Sequence, residues 1–256
     1  GNLKKMQKSL TDAQVIDFSL QHDHIFGDEL RTKHSWSRVV SLANFSNLIL
    51  KLGIYEQKHV GVVSGTINEP ELNFINSKKT TILSYEENKI FDLETDWKLN
   101  MSFDFSLTIC NQVLEHVFNP HLAFSNLCHA TKKGGYIWVS LPTVNCIHGQ
   151  PQFFSSGYHP RFLQRLASEA GLTTISIGQW GTKKYMLNAL IGKWLFSDYL
   201  TKKFGIPFNT IPNTVDTDKF TLKPKKKTSK INLLHVANCV KIKQQKLFIL
   251  FLSKFV

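Results

Sequence analysis

The spacing of apolar positions changes along the chain, and each change marks an element. In residues 35–53, Val39, Val40, Leu42, Ala43, Phe45, Leu48, Ile49 and Leu52 fall on one broad face at 3.6-residue spacing. This predicts a packed helix with Ser35 or Ser37 as N-cap and Gly53 as C-cap. Upstream, residues 11–34 are mixed, with one short amphipathic stretch and with His22, His24 and His34. Those histidines lack the tight spacing of a ligand set, so a solvated face is expected there. Beyond Gly53 the apolar runs become short and continuous. Residues 59–64 (HVGVVS), 80–85 (TTILSY), 88–93, 103–110 (FDFSLTIC), 136–141 (YIWVSL) and 173–177 read as strands. A brief helix-compatible piece, NEPELNFINS, lies between the first two. Two longer helices start at Asn119-Pro120 and His159-Pro160, stopped by Gly134-Gly135 and by Gly171. Alternation of apolar strands and helices predicts an α/β fold, a mostly parallel sheet with helices on both faces. Ligands of such sheets bind beyond the carboxyl ends of the strands, at residues 64–66, 85–86, 92, 110–116 and from Pro142 onward.

Composition narrows the class. With 256 residues at 42% hydrophobic and 12% aromatic, the chain can bury a core and excludes a disordered protein or a disulfide miniprotein. Its longest nearly unbroken apolar run, residues 247–252, is far short of the roughly 18–20 residues that span a bilayer. No transmembrane segment is predicted. The start, GNLKKMQKSL, has neither an apolar leader nor an initiating Met, which suggests a fragment or a processed chain. Cys110, Cys128, Cys146 and Cys239 are too widely spaced for a metal or redox pair, so no metal is predicted and a cytoplasmic, reducing setting is expected. The net charge of +12 is uneven: residues 1–200 carry +2 and residues 201–256 carry +10. The excess therefore marks a junction. Its densest run, KPKKKTSK at 223–230, has no interleaved aromatics and no Arg fork, which favours a solvated hinge over a nucleic-acid site.

The block FDFSLTICNQVLEHVFNPHLAFSNLCHATKKGGYIWVSLP resembles the fourth strand, following helix and fifth strand of class I S-adenosylmethionine-dependent methyltransferases of the small-molecule type. The matching elements are Phe103-Asp104, Asn111-Gln112, Leu114-Glu115-His116, Asn119-Pro120 and Gly134-Gly135, and the resemblance covers about residues 59–180. It implies a Rossmann-like fold and S-adenosyl-L-methionine as cofactor. The first motif departs from the family: Gly65 is kept, but Val63 and Ile67 replace the flanking glycines and Gly61 stands at the acidic position. The Ser64 and Thr66 hydroxyls would substitute for part of the contact. The resemblance further implies Glu86, or alternatively Glu87, for the ribose hydroxyls, Asp92 for the adenine amino group, and Asn111 and Gln112 beside the reactive methyl. Removing a proton from an acceptor needs a base, for which His116 or His148 is proposed, since neutral imidazole suits abstraction near pH 7. In the family the Glu-His pair also stabilises its own turn.

The remainder, from about Ser197, resembles the inter-domain crossing and first strand-helix unit of retaining GT-B glycosyltransferases. The carrying residues are IPNTVDTDKF, then LLHVANCVKIKQQKL, with Lys243 matching a donor-site lysine and Asn238 standing where arginine is usual. The expected organisation is a helical N-terminal cap (1–58), a methyltransferase-like α/β domain (59–196), a basic linker (197–230) and a truncated glycosyltransferase-like βα unit (231–256). The functional expectation is methyl transfer to a small-molecule or saccharide acceptor, in glycan or cell-surface polysaccharide modification. The alternatives are a non-catalytic methyltransferase-like binding module and a fragment of a bifunctional glycosyltransferase.

Overall fold

The structure, a computed structural model, describes residues 10–85, 89–99, 101–146, 148–149, 151–181 and 185–187. All fall within one unit, Gly1–Tyr199. The expected linker and the glycosyltransferase-like unit lie outside the described residues, as do Glu86 and Glu87.

The N-terminal segment is more helical than its pattern predicts. It forms α1 (Asp12–Gln21), α2 (Asp23–Phe26) and α3 (Glu29–Thr32) before the long helix α4 (Trp36–Leu52). A four-residue helix completes barely one turn, so α2 and α3 have no period to read. Thr11 and Gln14 close a capping box on α1, and the Ser35 side chain caps α4 by accepting the Arg38 N–H. His22 and His24 use their Nδ1 atoms on the Phe18 and Gln21 carbonyls, 2.7 and 3.0 Å away, and the His22 ring lies 4.3 Å from that of Phe18.

His34, half-buried before α4, has its pKa lowered from 6.5 by burial and then by the Arg38 charge. A histidine depressed in the folded state stabilises the fold above its unfolded pKa and withdraws that stability as pH falls through it. Urea unfolding of the wild type and His34→Gln should therefore show the wild type losing ground to the variant below pH 6.5. A difference that stays constant with pH would contradict this.

Two short strands, β1 (Glu56–Gln57) and β3 (Asn76–Ser77), pair in parallel. The main sheet holds β2 (Val60–Val63), β4 (Thr80–Leu83), β5 (Phe105–Asn111) and β6 (Thr131–Ser140) in the order β4-β2-β5-β6, every described neighbour parallel. The fold is thus the expected Rossmann-like α/β arrangement. Alternate strand residues face opposite layers. Val60, Val62, Leu107 and Ile109 pack with Phe45 and Ile49 of α4. Val63, Leu83, Phe105 and Cys110 pack instead with α5 (Pro120–Ala130) and with Leu166 of α6 (Pro160–Glu169). Both faces are covered. Gly61 lies beneath Phe105: a Cβ there would sit 2.4 Å from the ring.

Three local expectations are corrected. Residues 89–91 form a 3-10 turn rather than a strand, and the carbonyls of Leu93 and Thr95 just beyond it are taken by the Asn126 side chain instead of a ladder. Residues 173–177 form no strand; β-branched composition favours one only where a face can be buried, and Leu172 and Ile175 stay 37% and 39% exposed. Gly134-Gly135 does not end the helix before it, which stops at Ala130 and passes directly into β6. Since Phe105 pairs with Thr131 and Leu107 with Tyr136, residues 132–135 stand opposite Ser106 alone. The glycine pair shapes that bulge.

Candidate functional site

From β2 the chain crosses to β4 on one side and later returns to place β5 on the other. The order therefore reverses between β2 and β5, whose last paired residues are Val63 and Cys110. At such a reversal the connections leave in opposite directions and open a crevice beyond the strand ends. Both strands finish in unusual backbone. Ser64 (φ 51) and Gln112 (φ 54) are the non-glycine residues with positive φ among those described. Each costs on the order of 1–3 kcal/mol and persists because its surroundings enforce it. The Ser64 N–H donates to Leu83 O at 2.9 Å, and the Gln112 N–H to Ser140 O at 2.8 Å.

After Ser64 the chain turns tightly. A Cβ on Gly65 would come within 2.7 Å of Val62 Cγ1 and 2.9 Å of Glu69 Oε1, so this position requires glycine. Ser64 and Thr66 are exposed, and the Thr66 hydroxyl accepts the Asn68 N–H at 3.2 Å. The turn is tied to α4 through Arg38, which bonds Glu69 at 2.9 Å and grips the fully buried Glu71 with both arms. A bidentate Arg–carboxylate pair fixes direction as well as distance.

The other expected residues make local contacts. Asn111 Oδ1 accepts the Trp138 indole N–H at 3.0 Å, while its Nδ2 is buried without a partner. Gln112 is exposed, its amide 3.3 Å from Ser140 Oγ. Asp92 accepts the Glu94 N–H on Oδ1 at 2.9 Å, and its carbonyl accepts the Trp97 indole N–H at 2.8 Å.

Beyond β5 a 3-10 turn, Leu114–His116, carries the clearest cluster. Glu115 is fully buried, and neither carboxylate oxygen has a hydrogen-bond partner. Burial pushes its carboxyl up, against the smaller opposing influences of its own backbone N–H and then of His116 and His148. The rings of His116 and His148 meet edge to face at 4.8 Å, with Phe153 4.9 Å from His148. The segment holding His148 is pinned to the turn: the Phe154 N–H donates to Glu115 O at 2.9 Å and the Tyr158 hydroxyl to Leu114 O at 3.1 Å. The structure thus brings together the two histidines proposed from sequence, 32 positions apart. His159, by contrast, caps α6, accepting the Arg161 N–H on Nδ1 at 3.2 Å.

An open cleft of about 2060 Å³ adjoins this cluster, with Gln112, Glu115, His116, His148 and Tyr158 among its walls. Ser64, Gly65, Thr66, Asp92 and Asn111 stand outside it. The crevice at the reversal and the cleft meet at Gln112. Glu115 is the residue sequence reasoning missed as a site group. Its signal was an acidic residue within an otherwise apolar turn, LEHV, where only burial distinguishes it from a solvated charge.

No protein-family model and no curated protein matches the chain. Among solved structures it is similar to phosphoethanolamine N-methyltransferase 2 of Haemonchus contortus in complex with S-adenosyl-L-methionine. The identity is 13% and the TM-score 0.36, over 63% of this chain and 41% of that one. The chain therefore spans less than half of that enzyme's length.

Proposed function

We propose that this chain binds S-adenosyl-L-methionine at the β2/β5 crevice and transfers its methyl group to a small-molecule or saccharide acceptor, in glycan or cell-surface polysaccharide modification. The observation that supports this most is the reversal of strand order, with left-handed Ser64 and Gln112 at its two lips. A cofactor fits these residues in part. The exposed Ser64-Gly65-Thr66 turn offers backbone and hydroxyl groups, while Val63 points into the core instead of leaving the open backbone of a glycine. Ser64, Gly65, Thr66, Asp92, Asn111 and Gln112 would hold the cofactor, together with Glu86, and the adjoining cleft would receive the acceptor.

When bound, the cofactor supplies a methyl on a sulfonium, an electrophilic carbon with a neutral thioether as leaving group. The protein's task is to align the acceptor with that carbon, exclude water and take up the acceptor's proton. His116 and His148 would take the last role, since both line the cleft together with Gln112. Separate His116→Ala and His148→Ala variants should lower turnover by on the order of 100-fold or more for the residue that takes the proton. Full turnover in both would remove the histidines from the mechanism. Calorimetry showing no binding at high micromolar S-adenosylmethionine or S-adenosylhomocysteine would overturn the methyl-transfer reading itself.

A further inference from the structure

Glu115 is the least explained group in the described residues. A carboxylate that is fully buried with both oxygens unpartnered is costly unless a positive charge compensates it. Two imidazoles stand beside it, and their hydrogen bonds fix which nitrogen is free. His116 Nδ1 lies 2.6 Å from Gln152 O, and His148 Nδ1 lies 2.8 Å from Cys146 O. A carbonyl can only accept, so both Nδ1 atoms carry the hydrogen, and in the neutral ring the lone pair is on Nε2. A backbone carbonyl behind the ring is the usual way a metal-binding histidine is oriented. One ligand-type atom from each of the three residues lies within 4.8 Å of the others.

We propose that Glu115, His116 and His148 bind a divalent transition-metal ion of the zinc class. Two neutral nitrogen donors with one carboxylate carry a charge of −1 and suit zinc or cobalt better than magnesium or calcium, which prefer all-oxygen sets. Donors around tetrahedral zinc stand about 3.3 Å apart, from bonds of about 2.0–2.1 Å, so atoms within 4.8 Å of one another must close by up to about 1.5 Å. His148 is the exposed member, on a segment outside the helices and strands, and can supply that movement. Three protein donors leave a fourth position for water or a ligand from the cleft, the arrangement of catalytic rather than structural zinc. With methyl transfer as the reaction, as proposed above, the ion would acidify an acceptor hydroxyl bound in that position. The proton would then pass to water, and the histidines would serve as ligands instead of as the base.

The test uses the full chain without a histidine tag, freed of metal by chelator. Titration with cobalt(II) should produce the strong visible bands of a tetrahedral site, and zinc should displace it at one ion per chain. His148→Ala and Glu115→Gln should each weaken zinc binding by at least about 100-fold, while His129→Ala, a histidine bonded to Met101 O away from the cluster, should leave it unchanged. Exposed His148 keeps the test decisive if Glu115→Gln fails to fold. Absence of cobalt bands, or unchanged zinc affinity in His148→Ala, would overturn the proposal. Titrating S-adenosylhomocysteine into the same samples separates the two readings: zinc bound without cofactor removes methyl transfer alone, and cofactor bound without zinc removes the metal site alone.

Discussion

Replacing Asn126 by Leu is expected to destabilise the protein by about 3 kcal/mol or more. Asn126 is fully buried on α5 and completely used. Its Nδ2 donates to Leu93 O at 3.1 Å and to Thr95 O at 2.7 Å, and its Oδ1 accepts the Trp97 N–H at 3.1 Å. Leucine keeps the volume but strands two carbonyls and one N–H, each worth about 1–3 kcal/mol when left without a partner. That is a large share of a total stability of about 5–15 kcal/mol. The same three bonds hold the turn that carries Asp92, whose carbonyl anchors the Trp97 indole. The loss should therefore appear both as a lower urea midpoint and as weaker cofactor binding under conditions where the variant remains folded. An Asn126→Leu protein of wild-type stability would show that the turn is not organised by this side chain.

Gly61→Ala should destabilise by about 1–3 kcal/mol, the usual cost of overfilling a packed core, and Gly61→Asp by more. A Cβ at this position would meet the Phe105 ring at 2.4, 2.6 and 2.8 Å. Phe105 cannot easily retreat, since it is fully buried and stacked on Phe103 at 5.2 Å, with His59 edge-on at 4.7 Å. An aspartate would add an unpaired charge beneath that ring. Placing at position 61 the acidic residue of the methyltransferases that the sequence resembles is therefore expected to unfold the chain. The double variant Gly61→Ala/Phe105→Leu should recover part of the loss, because the smaller side chain relieves the contact. Thermal denaturation of the three variants measures both effects, and an unchanged Gly61→Ala would show that the two layers have slack.

These two residues also show what the sequence made legible. The apolar runs of β2, β4, β5 and β6 and the face of α4 are visible because burial imposes a period or a continuous stretch on them. Asn126 gives no such sign. Its role depends on three backbone groups about 30 positions upstream, and a single Asn in FSNLCHA reads as an ordinary surface residue. Gly61 reads as a missing carboxylate until Phe105 is placed above it. The residues after β2 and β5 were legible as a candidate binding region because ligands of such sheets bind at strand ends, whereas the left-handed backbone of Ser64 and Gln112 was not, since neither residue type demands it. The meeting of His116 and His148 was hidden for the same reason as Asn126: the contact is made by the loop's path, which has no periodicity. Glu115 was quoted as part of a motif, yet its burial, the property that makes it chemically interesting, belongs to the fold.

A ligand is proposed to bind in the crevice between the ends of β2 and β5. The most direct test is calorimetric titration of S-adenosylhomocysteine into the wild type and into Thr66→Trp, a substitution at an exposed position of the crevice's lip that the core does not feel. Saturable one-site binding to the wild type, lost in a Thr66→Trp protein of unchanged thermal stability, is the predicted result. Binding of equal affinity in both proteins would place the ligand elsewhere and contradict the claim.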